Sequence, residues 1–256
     1  MSVPPPPELI ATLRAAGCVY AEDEARLLCA TAADRAELDA LVARRLAGVP
    51  LEQVLGFVEF AGLRLSLRPG VFVPRRRTEL LARLAADACP RGGVLVELCC
   101  GAGAVAAVAA AGDPTLAVHA VDVDPAAVAC ARDNLPTARV YAGDLDAPLP
   151  AELRGRVDVL AANAPYVPSA EIGLLPAEAR EYEPRLALDG GADGLDVHRR
   201  IAAAAPRWLR PGGRLLIETG AHQASGTAAA MTAAGLAATV VGAAELAATV
   251  VVGVPA

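Results

Sequence analysis

The sequence predicts an α/β protein in which a mostly parallel sheet carries helices on both faces, preceded by a small helical unit. Three observations predict it. From Gly93 onward, apolar runs of strand length alternate with helix-patterned segments, the mark of strand–helix–strand crossovers. The first fifty residues carry only helical periodicity. Near the C-terminus two strand-like runs are separated by a few residues, too few for a parallel crossover, so they must pair antiparallel.

A chain of 256 residues that is 55% hydrophobic can bury one large core and has room for a second, smaller one. The expected division is residues 1–68 and residues 69–256. The formal charge of −6 argues against binding duplex DNA through an overall field, which needs a concentrated basic surface. Six cysteines (Cys18, Cys29, Cys89, Cys99, Cys100, Cys130) form no CxxC pair, so they read as small apolar residues rather than a zinc cage or a disulfide framework. No leader pattern opens the chain, and no apolar run approaches the roughly 20 residues of a membrane span. A cytoplasmic protein is expected. The glycines and prolines are dispersed, and only the run Pro4–Pro7 reads as a loose tail.

Helical patterns run over Glu8–Ala16, Ala21–Ala32 and Asp34–Ala47, the last stopped by Gly48 and Pro50. Between Val54 and Leu67 the residue types change, with Gly56 and Gly62 as punctuation, which predicts a connecting hairpin. Strands are expected at 94–98, 116–123, 138–142, 157–163 and 214–219. Helices are expected at Ala104–Ala111, Pro125–Leu135, Leu195–Trp208 and Gln223–Ala234, and the closing hairpin at 236–241 and 246–254. A doubly wound sheet with this ending resembles the Rossmann-like, seven-stranded class I fold of S-adenosylmethionine-dependent methyltransferases, with its terminal antiparallel strand.

The segment VLVELCCGAGAVAA places Gly101 and Gly103 where a strand turns into a helix, so that backbone N–H groups meet a ligand closely. Gly101, Gly103 and Ala106 also satisfy a nicotinamide fingerprint, with Asp122 at the right distance for a ribose, so a dehydrogenase is a rival. Two acids favour the methyltransferase resemblance. Glu97 stands where such enzymes hold the charged aminoacyl end of the cofactor, and a pyrophosphate would be repelled there. Asp144 in AGDL stands where they bind the adenine amine, with Leu145 packing nearby. The resemblance thus implies a cofactor site of Glu97, Cys99, Cys100, Gly101, Ala102, Gly103, Asp122, Asp144, Leu145 and Asn163.

After the fourth strand the chain reads Asn163, Ala164, Pro165 and Tyr166. This tetrapeptide resembles the NPPY motif of methyltransferases that modify planar amino or amide nitrogens. An amide nitrogen is a poor nucleophile, so it must be held in line with the methyl donor. The Asn163 side-chain oxygen and the Ala164 carbonyl offer two acceptors for a substrate –NH₂, while Tyr166 walls the slot and Pro165 sets the chain direction. Ala164 replaces a proline. Its carbonyl remains, and a residue before proline is already biased to extended conformations.

The resemblance then widens to the HemK-like protein-(glutamine-N5) methyltransferases that act on release factors. PLEQVLGFVEFAGL at 50–63, VFVPRRRTELL at 71–81, YEPRLALDGGADGLDVHRRI at 182–201 and LRPGGRLLIETGAHQ at 209–223 are similar to blocks of that family. The resemblance implies methyl transfer to the glutamine of a GGQ tripeptide in a peptide-chain release factor, with the helical unit gripping the protein. Ala164, PRRRTE in place of a second proline, the Cys99–Cys100 pair and the short N-terminal unit mark a divergent branch. A small-molecule N-methyltransferase, a nucleic-acid amino methyltransferase and a non-catalytic cofactor-binding module remain open. No stable nucleic-acid or membrane partner is expected.

Arg75, Arg76 and Arg77 form a tight basic cluster, and Arg75 is a candidate for substrate contact. Glu183 and Arg185 in YEPR are expected to pair and shape the substrate loop. His119, His198 and His222 are too scattered to suggest a metal triad, and Trp208 is expected to pack.

Overall fold

The computed structural model describes residues 5–255. Pro4 of the expected tail lies outside them, and Pro7 opens the first helix, where its missing N–H costs nothing. Helices α1 (Pro7–Ala15), α2 (Ala21–Thr31) and α3 (Arg35–Leu46) form the N-terminal unit. Asp34 caps α3 by accepting from Glu37 N at 2.8 Å, while Glu37 reaches back to Ala33 N at 2.7 Å. Such a reciprocal cap stabilises a helix by about 1 kcal/mol. Leu13, Ala25, Leu28, Leu41 and Val54 close a core of their own.

The hairpin begins later than expected. Val54 and Leu55 belong to a short helix, α4 (Leu51–Leu55), which Pro50 starts and Gly56 ends at φ +78. Strands β1 (Phe57–Phe60) and β2 (Leu63–Ser66) follow, joined by Ala61 and Gly62, both with positive φ, as a two-residue hairpin turn requires. Val58, Phe60, Leu65 and Leu67 pack into the core of the main sheet rather than among the helices. The hairpin is therefore part of the larger body in packing terms.

That body holds α5 (Glu79–Ala88), β3 (Val94–Leu98), α6 (Ala104–Gly112), β4 (Ala117–Asp122), α7 (Pro125–Asn134), β5 (Arg139–Ala142) and β6 (Val157–Ala162). Then come α8 (Ala177–Tyr182), α9 (Asp196–Ala204), β7 (Leu209–Glu218), α10 (Ala224–Ala233), β8 (Leu236–Ala243) and β9 (Ala248–Pro255). The seven strands lie in the order β5-β4-β3-β6-β7-β9-β8. This is the Rossmann-like class I methyltransferase fold. The antiparallel strand is last in sequence but not at the sheet edge, because β9 inserts between β7 and β8. The expected helix through Trp208 ends at Ala204 and tightens into one short turn at Pro206, which lacks the N–H to continue it. Trp208 itself is buried, its Nε1 donating to Asp146 at 2.9 Å.

Strand direction follows from burial. β3 and β6 are hydrophobic on both faces because α5, α6 and α7 cover one side of the sheet, and α9 and α10 cover the other. β3 pairs with β4 on one flank and with β6 on the other. The chain therefore reverses its direction of winding between β3 and β6, which opens a crevice at their carboxyl ends.

Candidate active site

The turn after β3 is built from left-handed residues. Cys99 and Gly101 have φ +53 and Gly103 has φ +76. Asp122, the last residue of β4, locks this turn: its carboxylate accepts from Gly101 N at 2.8 Å and from Asp124 N at 2.9 Å. A Cβ at Gly101 would meet no other atom within 4 Å, so the glycine leaves bare backbone facing open space. Gly103 serves differently. A Cβ there would lie 2.7 Å from Leu135 Cδ1, so this glycine lets α6 pack against α7, and it does not line the crevice.

The crevice encloses a cavity of about 490 Å³. It collects Glu97, Cys99, Cys100, Gly101, Ala102, Asp122, Asp144, Leu145 and the whole run Asn163–Tyr166, from the ends of four successive parallel strands. Of the expected cofactor residues only Gly103 stands outside. Glu97 is buried, and its carboxylate accepts from Ala106 N at 2.8 Å and from Val105 N at 3.4 Å in the first turn of α6. Burial pushes its pKa up to about 8, against the pull of those two N–H groups. Burial also raises Asp122, again opposed by its backbone donors. Asp144 is more exposed and holds Arg200 of α9 at 2.6 Å, an arginine that no local sequence pattern marks. Cys18, Cys100 and Cys130 are buried, the other three are half-buried, and all six are free thiols. Cys99 and Cys100 line the cavity, where burial pushes both thiols above their ordinary range.

Three buried polar side chains brace the Asn163–Tyr166 run. Asn163 Nδ2 donates to Thr78 Oγ1 at 3.2 Å. Gln223 Nε2 donates to the Tyr166 carbonyl at 2.9 Å and to the Asp193 carbonyl at 3.1 Å. His198 lies behind the loop, its Nδ1 2.9 Å from Thr227 Oγ1. Burial holds this histidine down to about 4, although the Ala164 carbonyl pulls the other way, so the ring is neutral at pH 7. Thr78 and Gln223 lie within blocks that the sequence singles out, yet nothing in residue type alone shows that they meet this loop.

On the outer wall Glu183 does not pair with Arg185. Its buried carboxylate takes Arg75 at 2.6 and 2.7 Å and Val73 N at 3.1 Å. Arg185 points to solvent, pairs with Asp189 one helical turn on, and lies off the cavity. The reason is geometric: Pro184 and the short turn at 185–187 send the two side chains apart. Arg77 instead reaches Glu218 at 3.3 Å and lies 5.9 Å from the Tyr166 ring. The helical unit is tied to this wall, because Arg45 joins Glu24 and Glu178 at 2.6 Å each and Tyr182 donates to the Ala47 carbonyl at 2.7 Å.

The family model for a methyltransferase small domain matches residues 63–174. A release factor glutamine methyltransferase of Mycolicibacterium smegmatis is 40% identical over 81% of this chain and 80% of its own length. The chain belongs to the release factor glutamine methyltransferase family. Another member, from Geobacter sulfurreducens, is 42% identical over 72% of this chain but only 65% of its own length. A protein from Streptomyces pristinaespiralis named 4-amino-L-phenylalanine/4-methylamino-L-phenylalanine methyltransferase is 38% identical over 76% of this chain and 69% of its own length. The fold also matches a Thermus thermophilus 16S rRNA N2 G1207 methyltransferase solved with AdoMet and guanosine, at a TM-score of 0.54 and 21% identity over 78% of this chain and 50% of that one. Family membership thus settles the rivalry with a dehydrogenase.

Proposed function

We propose that this chain transfers a methyl group from S-adenosylmethionine to the side-chain amide nitrogen of a protein glutamine, in the GGQ tripeptide of a peptide-chain release factor. One observation carries the proposal: Asn163 and Ala164 face the same cavity as the bare Gly101 turn and the acids Glu97, Asp122 and Asp144. The donor set fits the cofactor. Asp122 can accept from ribose hydroxyls with the lone pairs its two backbone donors leave free, Asp144 from an adenine amine, and Glu97 can balance an ammonium group. Leu145, buried beside Asp144, offers an apolar wall.

S-adenosylmethionine, when bound, supplies an electrophilic methyl group on a sulfonium sulfur. The chain itself supplies orientation. Asn163 Oδ1 and the Ala164 carbonyl take the two N–H groups of the acceptor, which turns its nitrogen lone pair toward the donor and favours the positive charge that develops on nitrogen. Tyr166 and Pro165 confine the flat group. Arg75, fixed by Glu183, is placed to meet the backbone of an incoming peptide, and residues 1–68 act as the recognition unit. A cytoplasmic enzyme without stable nucleic-acid binding is consistent with the acidic charge, and no described helix is long and apolar enough to cross a membrane.

The relative named for amino-phenylalanine methylation favours a second candidate, a small aromatic amine, which the same pair of acceptors would orient. Labelled cofactor offered with a recombinant release factor, or with 4-aminophenylalanine, separates the two. Label on the GGQ glutamine supports the proposal. Label on the free amine alone overturns it.

A further inference from the structure

We infer that Thr78 is a positioning residue for methyl transfer: its hydroxyl, directed by the Glu218 carboxylate, takes the Asn163 amide N–H and so turns Asn163 Oδ1 toward the acceptor. The inference rests on the proposed role of Asn163 and adds the device that makes that role possible. An asparagine side chain presents an oxygen on one side and an NH₂ on the other, and half a turn about its last bond exchanges them. An Asn163 turned the wrong way would meet a substrate –NH₂ with its own –NH₂. Something must therefore choose between two nearly isosteric orientations.

Thr78 is in place to choose. It is the last residue of the short turn at Arg76–Thr78 that leads into α5, and it is 3% exposed, so water cannot stand in for it. Asn163 Nδ2 lies 3.2 Å from its Oγ1. A hydroxyl alone would be indifferent, since it can donate to an amide oxygen as readily as it accepts from an amide nitrogen. Glu218 removes that freedom. The parallel register pairs Ala162 with Ile217, so Asn163 and Glu218 leave adjacent strands at the same level. The Glu218 carboxylate is 1% exposed, receives Arg77 on Oε1 at 3.3 Å, and has no hydrogen-bond partner on Oε2. Burial raises the pKa of Glu218, and the neighbouring Thr78 and Arg77 pull the other way. In the proposed arrangement the unpartnered Oε2 takes the single proton of Thr78. The lone pairs of Oγ1 are left for Asn163, which must then offer its NH₂.

The test is a mutant cycle on Thr78→Val, Thr78→Ser, Asn163→Ala and the double variant Thr78→Val/Asn163→Ala, using a recombinant release factor or 4-aminophenylalanine, whichever the wild-type protein labels. Thr78→Val should lower kcat about tenfold to a hundredfold, as loss of an orienting partner does, with cofactor Kd unchanged. Thr78→Ser, which keeps the hydroxyl, should restore most of that loss. In the Asn163→Ala background Thr78→Val should cost nothing further, because its only target is gone. Wild-type kcat in Thr78→Val, full additivity, or a serine variant as slow as the valine one overturns the inference. Wild-type kcat in Asn163→Ala would instead overturn the proposed role of the motif. A readout free of any acceptor is the ¹⁵N side-chain amide signal of Asn163, identified by its loss in Asn163→Ala. Its hydrogen exchange should accelerate in Thr78→Val and not in Thr78→Ser; unchanged exchange in the valine variant also overturns the inference.

Discussion

Asn163 is half-satisfied: its nitrogen donates to Thr78, none of the described residues donates to its side-chain oxygen, and the residue lines the cavity. Asn163→Ala removes the acceptor and leaves the Gly101 turn and the acids Glu97, Asp122 and Asp144 of the cofactor site in place. It should slow transfer about a hundredfold to a thousandfold, as does deletion of one group that stabilises charge in the transition state, while cofactor affinity stays near wild type. Single-turnover rates check the first part and titration calorimetry the second, and a variant with full turnover would remove Asn163 from the chemistry. Asp122 has the opposite profile. Its carboxylate holds both Gly101 N and Asp124 N, so Asp122→Ala loses the shape of the turn together with a ligand acceptor. A charge-assisted bond contributes about 1.5 to 3 kcal/mol, so cofactor Kd should rise roughly tenfold to a hundredfold or more by calorimetry. Asp144→Ala should cost less, because Arg200 already occupies one of its oxygens and the pair is open to solvent, where screening weakens it.

At the level of elements, the loop after β6, in which alanine stands where the NPPY motif has a proline, is braced by the segment 190–194. Gly194, at φ +76, lies so close to the loop that a Cβ would overlap the Tyr166 carbonyl and Gln223 Nε2. Gly194→Ala should therefore displace the Tyr166 carbonyl, break the Gln223 bond and strain a left-handed backbone at once. Overpacking and strain of this kind cost about 2 to 4 kcal/mol together. A lower Tm together with a lower kcat is the expected result, and a wild-type Tm would mean that the loop is not braced from this side. This bracing marks the boundary of what the sequence discloses. The strands, their helices, the Gly101 turn and the acids at strand ends are local patterns, readable because burial on both faces writes continuous apolar runs and because tight turns demand glycine. Val54 and Leu55 were misleading because a five-residue helix carries too short a period to tell from a strand. The Thr78–Asn163, Gln223–Tyr166 and Arg75–Glu183 contacts join residues 57 to 108 positions apart, and Arg200 reaches Asp144 across 56. Their partners are decided by how the sheet is wound, so no local pattern could announce them, and the neighbouring Arg185 was the plausible wrong choice for Glu183.

The whole molecule carries the electrostatic cost of a site built from buried acids, and that cost has a pH signature. Glu97 has a pKa of about 8 in the folded protein, against an ordinary value of 4.5. A group that binds its proton more tightly when folded makes the native state hold more protons than the unfolded chain between those two values, so stability falls as pH rises across that window. His198 works in the opposite sense. Its folded pKa of about 4, against 6.5, means the unfolded chain takes up the extra proton, so its contribution is lost as pH falls below 6.5. The two slopes oppose each other between about 4.5 and 6.5, and only the Glu97 slope persists from 6.5 to 8. Asp122, Glu183 and Glu218, all raised by burial, add to the fall at the acidic end of the window. The ligand-free protein should accordingly lose thermal stability between pH 6.5 and 8, and Glu97→Gln, which cannot ionise, should flatten that decline even though it trades one accepted N–H bond for an amide. Calorimetric melting of both proteins at several pH values decides the matter. An equal decline in the variant would mean that Glu97 is already ionised in the folded state, and the buried carboxyl at the end of β3 would then have to be balanced by a positive charge that the described fold does not supply.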